Sequence, residues 1–377
     1  MYTRNSDAHA LFDAIVHIKS ASIAVSSPSE YLPDRHPPQQ ASTAALFEPI
    51  MTQNDVVAAL NKALAGLGVD EKALVSSLAK ANDDQRRIFR KSNPRMFHDD
   101  QLRCFQIWNE DYVDLMRHEF LRFKNAVVLC AMHPWERDAR IIKESLREGE
   151  ADYTVIVEVA CTRSSDDLVG ARRAYHALFD LSVEEDVAVH VRHPSLRNLL
   201  LALVCAYRYQ GSRVNHHAAD SEAQLLAAAI GGAHPIRNDD VVRILSTRSK
   251  PHIREVCDRY RRISGKCVAQ DLHDCDGDES LLRSAIECLC RPPSYFSKVL
   301  FEAMRPEADH RKKSALTRVV VTRAEADMDE IREEYAKMHG CSLEEKVEEA
   351  ASGSYRDFLL ALMAREDASS SLPDHSQ

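Results

Sequence analysis

The tripeptide Thr162-Arg163-Ser164 decides the fold, because similar tripeptides recur at Thr247-Arg248-Ser249 and Thr322-Arg323-Ala324. The copies are separated by 85 and 75 residues. Each copy follows an apolar stretch with helical spacing and is followed, twelve residues after its arginine, by a tyrosine: Tyr175, Tyr260 and Tyr335. A Ser or Thr hydroxyl at such a position can cap the next helix. Self-similarity at a near-constant period predicts a chain of helical repeats.

A further copy lies nearer the N-terminus and lacks the Thr-Arg pair. It begins at Leu78 and offers Asn82 as the helix cap. All four units close on an apolar helical segment, and these segments begin at Asn125, Asn198, Tyr295 and Tyr355. Units of about 75 residues are too small to bury their apolar faces well alone, so we expect four of them to pack into one all-α body.

Composition limits the classes of function. The 377 residues are 45% hydrophobic, enough for a large core, and no apolar run approaches the roughly 20 residues of a membrane span. The formal net charge of −9 gives no general attraction to nucleic acid or to anionic lipid. We therefore expect no nucleic-acid partner, and any lipid contact has to be peripheral and bridged by a cation. The ten dispersed cysteines favour a reducing, cytoplasmic location.

The two ends of the chain differ from its centre. Residues 1–52 are rich in Ser, Pro, Gln and His with little periodicity, so they are predicted to be a disordered extension. Residues 369–377 are predicted to be a disordered tail. Between them, the repeats are placed at residues 53–129, 130–212, 220–304 and 305–368.

A glycine-rich loop, Leu64-Ala65-Gly66-Leu67-Gly68-Val69-Asp70-Glu71, lies in the first repeat. Glycine permits a positive φ, which can turn successive carbonyl oxygens to one side. Ca²⁺ binds several such oxygens together with a carboxylate. Taken alone, Gly-x-Gly is more often a plain turn than a metal site.

The four repeats, this loop and the segments Cys161-Thr162-Arg163-Ser164 and Thr322-Arg323-Ala324-Glu325-Ala326-Asp327-Met328 resemble the annexin family. The segment His133-Pro134-Trp135-Glu136-Arg137-Asp138-Ala139 is similar to the plant branch of that family. The resemblance covers roughly residues 53–366. It implies a slightly curved disc with about five helices in each repeat, whose convex face carries calcium loops and meets phospholipid.

The resemblance also implies a ligand set for Ca²⁺ in the first repeat: the carbonyls of Leu64, Gly66 and Gly68 and the carboxylate of Glu119. The interval of 51 residues between Gly68 and Glu119 is long, which indicates an insertion around residues 96–111 and leaves Asp114 and Glu110 as alternative acids. The other repeats lack the Gly-x-Gly spacing or the acid. We therefore predict one good site at most, and lipid binding that is weak or needs much calcium.

Three further residues are candidates for a role. Leu67, at the tip of the loop, either enters the lipid headgroup region or folds back onto its own repeat. Cys161 and Cys288 fall where plant annexins carry thiols suspected of redox roles, with a buried structural thiol as the alternative.

Two hypotheses of function follow. The first is a calcium-dependent protein that binds anionic phospholipid, in stress or calcium signalling. The second is a calcium-independent scaffold that binds actin or another protein through basic helix faces, such as Arg248 to Lys266, and carries a vestigial calcium loop. No nucleotide-binding or hydrolase motif is present in the sequence, so we do not expect an enzyme.

Overall fold

The computed structural model describes residues 53–78, 81–99, 106–147, 151–205, 208–232, 234–272 and 278–364. The predicted N-terminal extension and C-terminal tail lie outside these residues. Apart from one short hairpin, the regular elements of the described ranges are helices, which confirms the all-α fold class. None of these helices is both long and apolar enough to cross a membrane.

The described part of the first repeat contains four helices and the hairpin. The helices are α1 (Gln53–Ala63), α2 (Glu71–Leu78), α3 (Asp83–Ser92) and α4 (Glu110–Ala131). Strands β1 (Phe97–Asp99) and β2 (Gln106–Trp108) pair antiparallel between α3 and α4. The hairpin lies where the long interval in the sequence indicates an insertion.

The remaining helices follow in three sets of five. The first set is α5 (Pro134–Ser145), α6 (Tyr153–Thr162), α7 (Ser165–Phe179), α8 (Val183–His190) and α9 (Pro194–Val204). The second is α10 (His216–Ile230), α11 (Asp239–Thr247), α12 (Lys250–Ser264), α13 (Val268–Asp271) and α14 (Asp278–Cys290), with a 3₁₀ turn at Pro235–Arg237. The third is α15 (Pro292–Ala303), α16 (His310–Arg323), α17 (Met328–His339), α18 (Leu343–Ala350) and α19 (Gly353–Met363). This grouping puts α15, which contains Tyr295, at the start of the last set, whereas the predicted limits put it at the end of the third repeat (220–304). The repeat limits stay a prediction.

Helix α4 is one continuous helix of 22 residues, about 33 Å long. Its sequence contains neither Gly nor Pro, so nothing in it ends the helix midway. Among the residues that the structure describes, the first repeat therefore has four helices, whereas the expected five are found in each of the other three sets.

The recurring tripeptides organise their repeats. Ser164 Oγ accepts a hydrogen bond from the Asp167 N–H at 3.1 Å and caps α7, while Ser249 caps α12 in the same way. In the first two copies the arginine reaches back to an acid on the first helix of its set: Arg163 pairs with Asp138 at 2.5 and 2.8 Å, and Arg248 pairs with Glu222. The third arginine, Arg323, pairs instead with Asp327, four residues further on. The tyrosines that follow are almost fully buried: Tyr175, Tyr260 and Tyr335.

The described residues form two hydrophobic cores. The larger core runs through the three five-helix sets and includes Ala126 of α4 and Leu67 of the glycine-rich loop. The smaller core belongs to the first three helices and the hairpin, around Leu60 and the edge-to-face rings of Phe89 and Phe97. The side chain of Leu67 thus packs in the larger core, whereas the two helices that the loop joins, α1 and α2, pack in the smaller one.

Candidate metal centre

The glycine-rich loop joins α1 to α2 and docks on the turn between α18 and α19. Gly66 (φ +85°) and Gly68 (φ +79°) both have left-handed backbones, which side chains other than hydrogen rarely tolerate. Between them, the Leu67 N–H donates to the Ala350 carbonyl at 2.7 Å, and the Leu67 carbonyl accepts from the Ser352 N–H at 2.8 Å. These two bonds fix the loop of the first repeat to a loop of the fourth.

Only some of the loop carbonyls accept hydrogen bonds. Those of Ala65 and Leu67 accept hydrogen bonds from Ser352, whereas those of Leu64, Gly66 and Gly68 accept none from any described residue. The three carbonyls predicted to bind calcium are therefore all among those that no described residue uses, as is the carbonyl of Val69.

Glu119 faces this loop from the middle of α4. Its side chain is buried, and Oε2 accepts the Gly68 N–H at 2.7 Å. Both carboxylate oxygens also accept from the Arg122 guanidinium, with Nη2 to Oε1 at 2.8 Å and a shorter contact from Nε to Oε2. The structure thus brings loop and acid together, but it supplies the acid with an internal counter-charge.

Arg122 belongs to the candidate site, although the sequence analysis does not name it. It lies three residues after Glu119, a spacing that places the two side chains on one face of a helix, so the i,i+3 rule could have indicated the pair. Its side chain is buried, and Nη1 also lies 3.5 Å from the Lys313 carbonyl at the start of α16.

The two alternative acids lie elsewhere on α4. Asp114 pairs with Arg117 at 2.7 Å on the exposed face of the helix, and Glu110 is exposed in its first turn. Of the three acids, Glu119 is the one that contacts the loop in the described part of the chain.

The chemistry of these groups fits Ca²⁺, with one competitor. Three unused carbonyls and a carboxylate are the hard oxygen ligands that calcium binds. The described residues contain no group of three or more His, Cys, Asp or Glu placed to hold a metal, so a site here would depend on the backbone carbonyls. Since a buried carboxylate needs one counter-charge, Arg122 and a metal ion would compete for Glu119.

The structure contradicts the predicted membrane contact at Leu67. Its side chain is only 4% exposed, because the two hydrogen bonds of its backbone hold it inside the larger core. The inward alternative is favoured, with the fourth repeat rather than its own repeat as the packing partner.

The positions of Cys161 and Cys288 in the structure disfavour a redox role for either thiol. Both side chains are completely buried, and burial raises the pKa of the Cys161 thiol to about 11 and the pKa of the Cys288 thiol well above its usual value. A thiol reacts as its thiolate, so both groups are held in the unreactive form. Their structural role, the alternative reading, is favoured.

We expect slow alkylation of Cys161 in the native protein. Raising its pKa from 9.0 to about 11 lowers the thiolate fraction about a hundredfold at mildly alkaline pH, and burial blocks the reagent as well. Peptide mass mapping after iodoacetamide treatment, in native buffer and in urea, measures both rates. Equal rates in the two buffers would show that this thiol is accessible in the folded chain.

Part of the basic stretch from Arg248 to Lys266 is committed to internal contacts. Arg248 pairs with Glu222 at 2.6 Å, Arg259 pairs with Glu255 at 2.8 Å, and Arg254 Nε donates to the Cys290 carbonyl at 3.1 Å. Fewer basic side chains on this helix are therefore free to bind actin than the sequence indicates.

Comparisons with known proteins agree with this architecture. The family model described as Annexin matches residues 221–280 and 295–362. Annexin D4 of Arabidopsis thaliana is 46% identical over 306 residues, which cover 80% of this chain and 94% of that protein. Annexin-like protein RJ4 of Fragaria ananassa is 36% identical over 82% of this chain and 95% of its own length. The solved structure of annexin III has a TM-score of 0.60 at 26% identity and covers 85% of this chain and 96% of that one.

Proposed function

Because this chain belongs to the annexin family, whose members bind phospholipid in a calcium-dependent way, we propose that it docks peripherally on anionic membranes through its first repeat. The observation that carries the proposal is the contact of Glu119 with Gly68 in a loop whose Leu64, Gly66 and Gly68 carbonyls are unused. The family consists generally of binding proteins rather than enzymes, and the proposed function is binding.

Each of the proposed calcium ligands has a separate role. The carbonyls of Leu64, Gly66 and Gly68 would hold the ion, and Glu119 would supply the negative charge. When bound, Ca²⁺ supplies the positive charge that a protein of net charge −9 lacks towards anionic lipid. Ca²⁺ takes roughly six to eight oxygens, so four protein ligands leave room for water and a lipid phosphate oxygen.

Liposome co-sedimentation tests the proposal. The chain is expected to pellet with phosphatidylserine vesicles in calcium and to stay in solution with chelator or with phosphatidylcholine vesicles. Pelleting that is equal in calcium and in chelator would contradict the proposal. We extend the proposal to a cytoplasmic protein recruited to membranes during calcium or stress signalling; fluorescence imaging of the tagged chain in cells before and after a calcium rise tests this step.

Replacing Arg122 is expected to lower the calcium requirement. In Arg122→Gln the internal counter-charge of Glu119 is gone, and the half-maximal calcium concentration for co-sedimentation should fall about tenfold, equivalent to about 1.4 kcal/mol. The matched control is Arg117→Gln, which removes the exposed partner of Asp114 on the same helix at the same i,i+3 spacing. An unchanged requirement in Arg122→Gln would show that Arg122 does not compete with the metal.

The calcium-independent scaffold remains the second candidate, and one observation favours it. The pair of Glu119 and Arg122 satisfies the buried acid without a metal, as expected of a vestigial site. Actin co-sedimentation separates the two functions: pelleting with filaments that chelator does not change would support the scaffold.

A further inference from the structure

A cavity of about 850 Å³ lies where the last two sets of helices meet, between α12, the start of α13, α14 and the start of α15. Its wall carries five basic side chains and two acidic ones, although the protein as a whole is acidic. The basic residues are Arg254, Arg261, Arg283, Arg291 and Lys298, and the acidic residues are Asp258 and Glu287. Guanidinium groups bind carboxylates through paired hydrogen bonds, so the cavity suits a small anionic ligand.

Two cysteines on the same wall are nearly in bonding contact. Cys257 in α12 and the last residue of α14, Cys290, have their sulfur atoms 3.0 Å apart, and both side chains are only partly buried. A disulfide has an S–S distance of about 2.05 Å, so an approach of about 1 Å would close the bond. This pair differs from Cys161 and Cys288, which are completely buried.

We propose that Cys257 and Cys290 form a reversible dithiol–disulfide site, and that its oxidant is a small disulfide bearing carboxylates, held in the basic cavity. The cavity accounts for recognition of the anion, and the paired sulfurs account for the chemistry. A disulfide ligand explains why two cysteines lie so close together beside the cavity, since it can exchange with them. Carboxylates on that ligand explain why the wall of the cavity is basic.

The exchange proceeds in two balanced steps. In the first, the Cys257 thiol gives up its proton and its sulfur attacks one sulfur of the small disulfide; a Cys257–ligand S–S bond forms, the ligand S–S bond breaks, and the released ligand thiolate takes up a proton in place of the one that Cys257 lost. In the second, Cys290 Sγ attacks Cys257 Sγ, and the second ligand thiolate leaves with the Cys290 proton. Two protein thiols are oxidised to one disulfide, and one small disulfide is reduced to two thiols.

The surroundings assign the two sulfurs different roles. Arg254 and Arg261 lie at i−3 and i+4 from Cys257, on its own face of α12, so an anionic disulfide held by these arginines lies next to the Cys257 sulfur. The hydrogen bond with Cys257 and burial raise the pKa of Cys290 well above its usual value. Cys257 is therefore the attacking sulfur, and Cys290 resolves the mixed disulfide.

Exchange with two disulfides of opposite charge tests the proposal on the full, reduced chain. Glutathione disulfide is anionic and cystamine is cationic. At low ionic strength the Cys257–Cys290 bond, identified by peptide mass mapping, is expected to form about tenfold faster with glutathione disulfide, and salt should reduce this preference. Equal rates with the two reagents, or no bond between these cysteines, would overturn the proposal.

Three variants sharpen the test. Cys290→Ser should accumulate a stable glutathione adduct on Cys257, whereas Cys267→Ser, which removes another thiol from the same wall, should react as the unmodified chain does. Arg261→Ala should slow the reaction with glutathione disulfide roughly threefold and leave the reaction with cystamine no slower. An adduct on Cys267 instead of Cys257, or an unchanged rate in Arg261→Ala, would count against the site.

Discussion

Replacing Glu119 with glutamine is expected to lower the free energy of unfolding by about 3 kcal/mol in calcium-free buffer. Glutamine keeps the shape and can still accept the Gly68 N–H, but it leaves Arg122 buried without its counter-charge. The side chains of Glu119 and Arg122 are 3% and 5% exposed, so solvent cannot replace the lost partner. Urea unfolding of the two proteins measures the difference. The same variant should lose calcium-dependent pelleting with phosphatidylserine vesicles.

A double variant separates stability from calcium binding. In Glu119→Gln/Arg122→Met both charges are gone, and most of the lost stability should return, because replacing a whole buried pair with uncharged groups is often neutral. Lipid pelleting should not return. A cost below about 1 kcal/mol for Glu119→Gln alone would show that the pair is solvated and weak.

Replacing Gly353 with alanine is expected to be similarly damaging. Gly353 has φ +58°, and an added Cβ would lie 2.2 Å from the Val69 carbonyl oxygen and 2.9 Å from Asp70 Cα. Backbone atoms cannot rotate away, so the docked loops must separate and the two hydrogen bonds of Leu67 with Ala350 and Ser352 are lost. Strain and lost bonds together should cost about 3–4 kcal/mol in urea unfolding.

Gly340→Ala is the matched control for this clash. Gly340 also has a left-handed backbone (φ +73°), but nothing lies within 4 Å of its added Cβ. It should cost only the conformational penalty of about 1–2 kcal/mol. Equal costs at Gly340 and Gly353 would mean that the contact between the first and fourth repeats contributes little to stability.

The sequence predicts the fold well because the repeat signals are local. Ser164 and Asn82 cap helices within three residues of themselves, and apolar periodicity marks each helix. The continuous α4 could have been predicted too, since no helix-breaking residue interrupts it.

The candidate site was harder to predict because part of it is not local. The pairing of Arg122 with Glu119 is local, because the i,i+3 spacing places both side chains on one face of α4. The burial of Leu67 has no such signal: its partners, Ala350 and Ser352, lie more than two hundred residues further along the chain. Only the packing of the first repeat on the fourth places them side by side.

The most direct test of the central claim is a crystal structure of the full chain grown with calcium and a soluble phosphoserine headgroup. We expect anomalous density about 2.3–2.6 Å from the carbonyl oxygens of Leu64, Gly66 and Gly68 and from the Glu119 carboxylate, with Arg122 no longer paired to that acid. If Glu119 still accepts both Arg122 and the Gly68 N–H in the presence of calcium, the first repeat does not bind the ion as proposed.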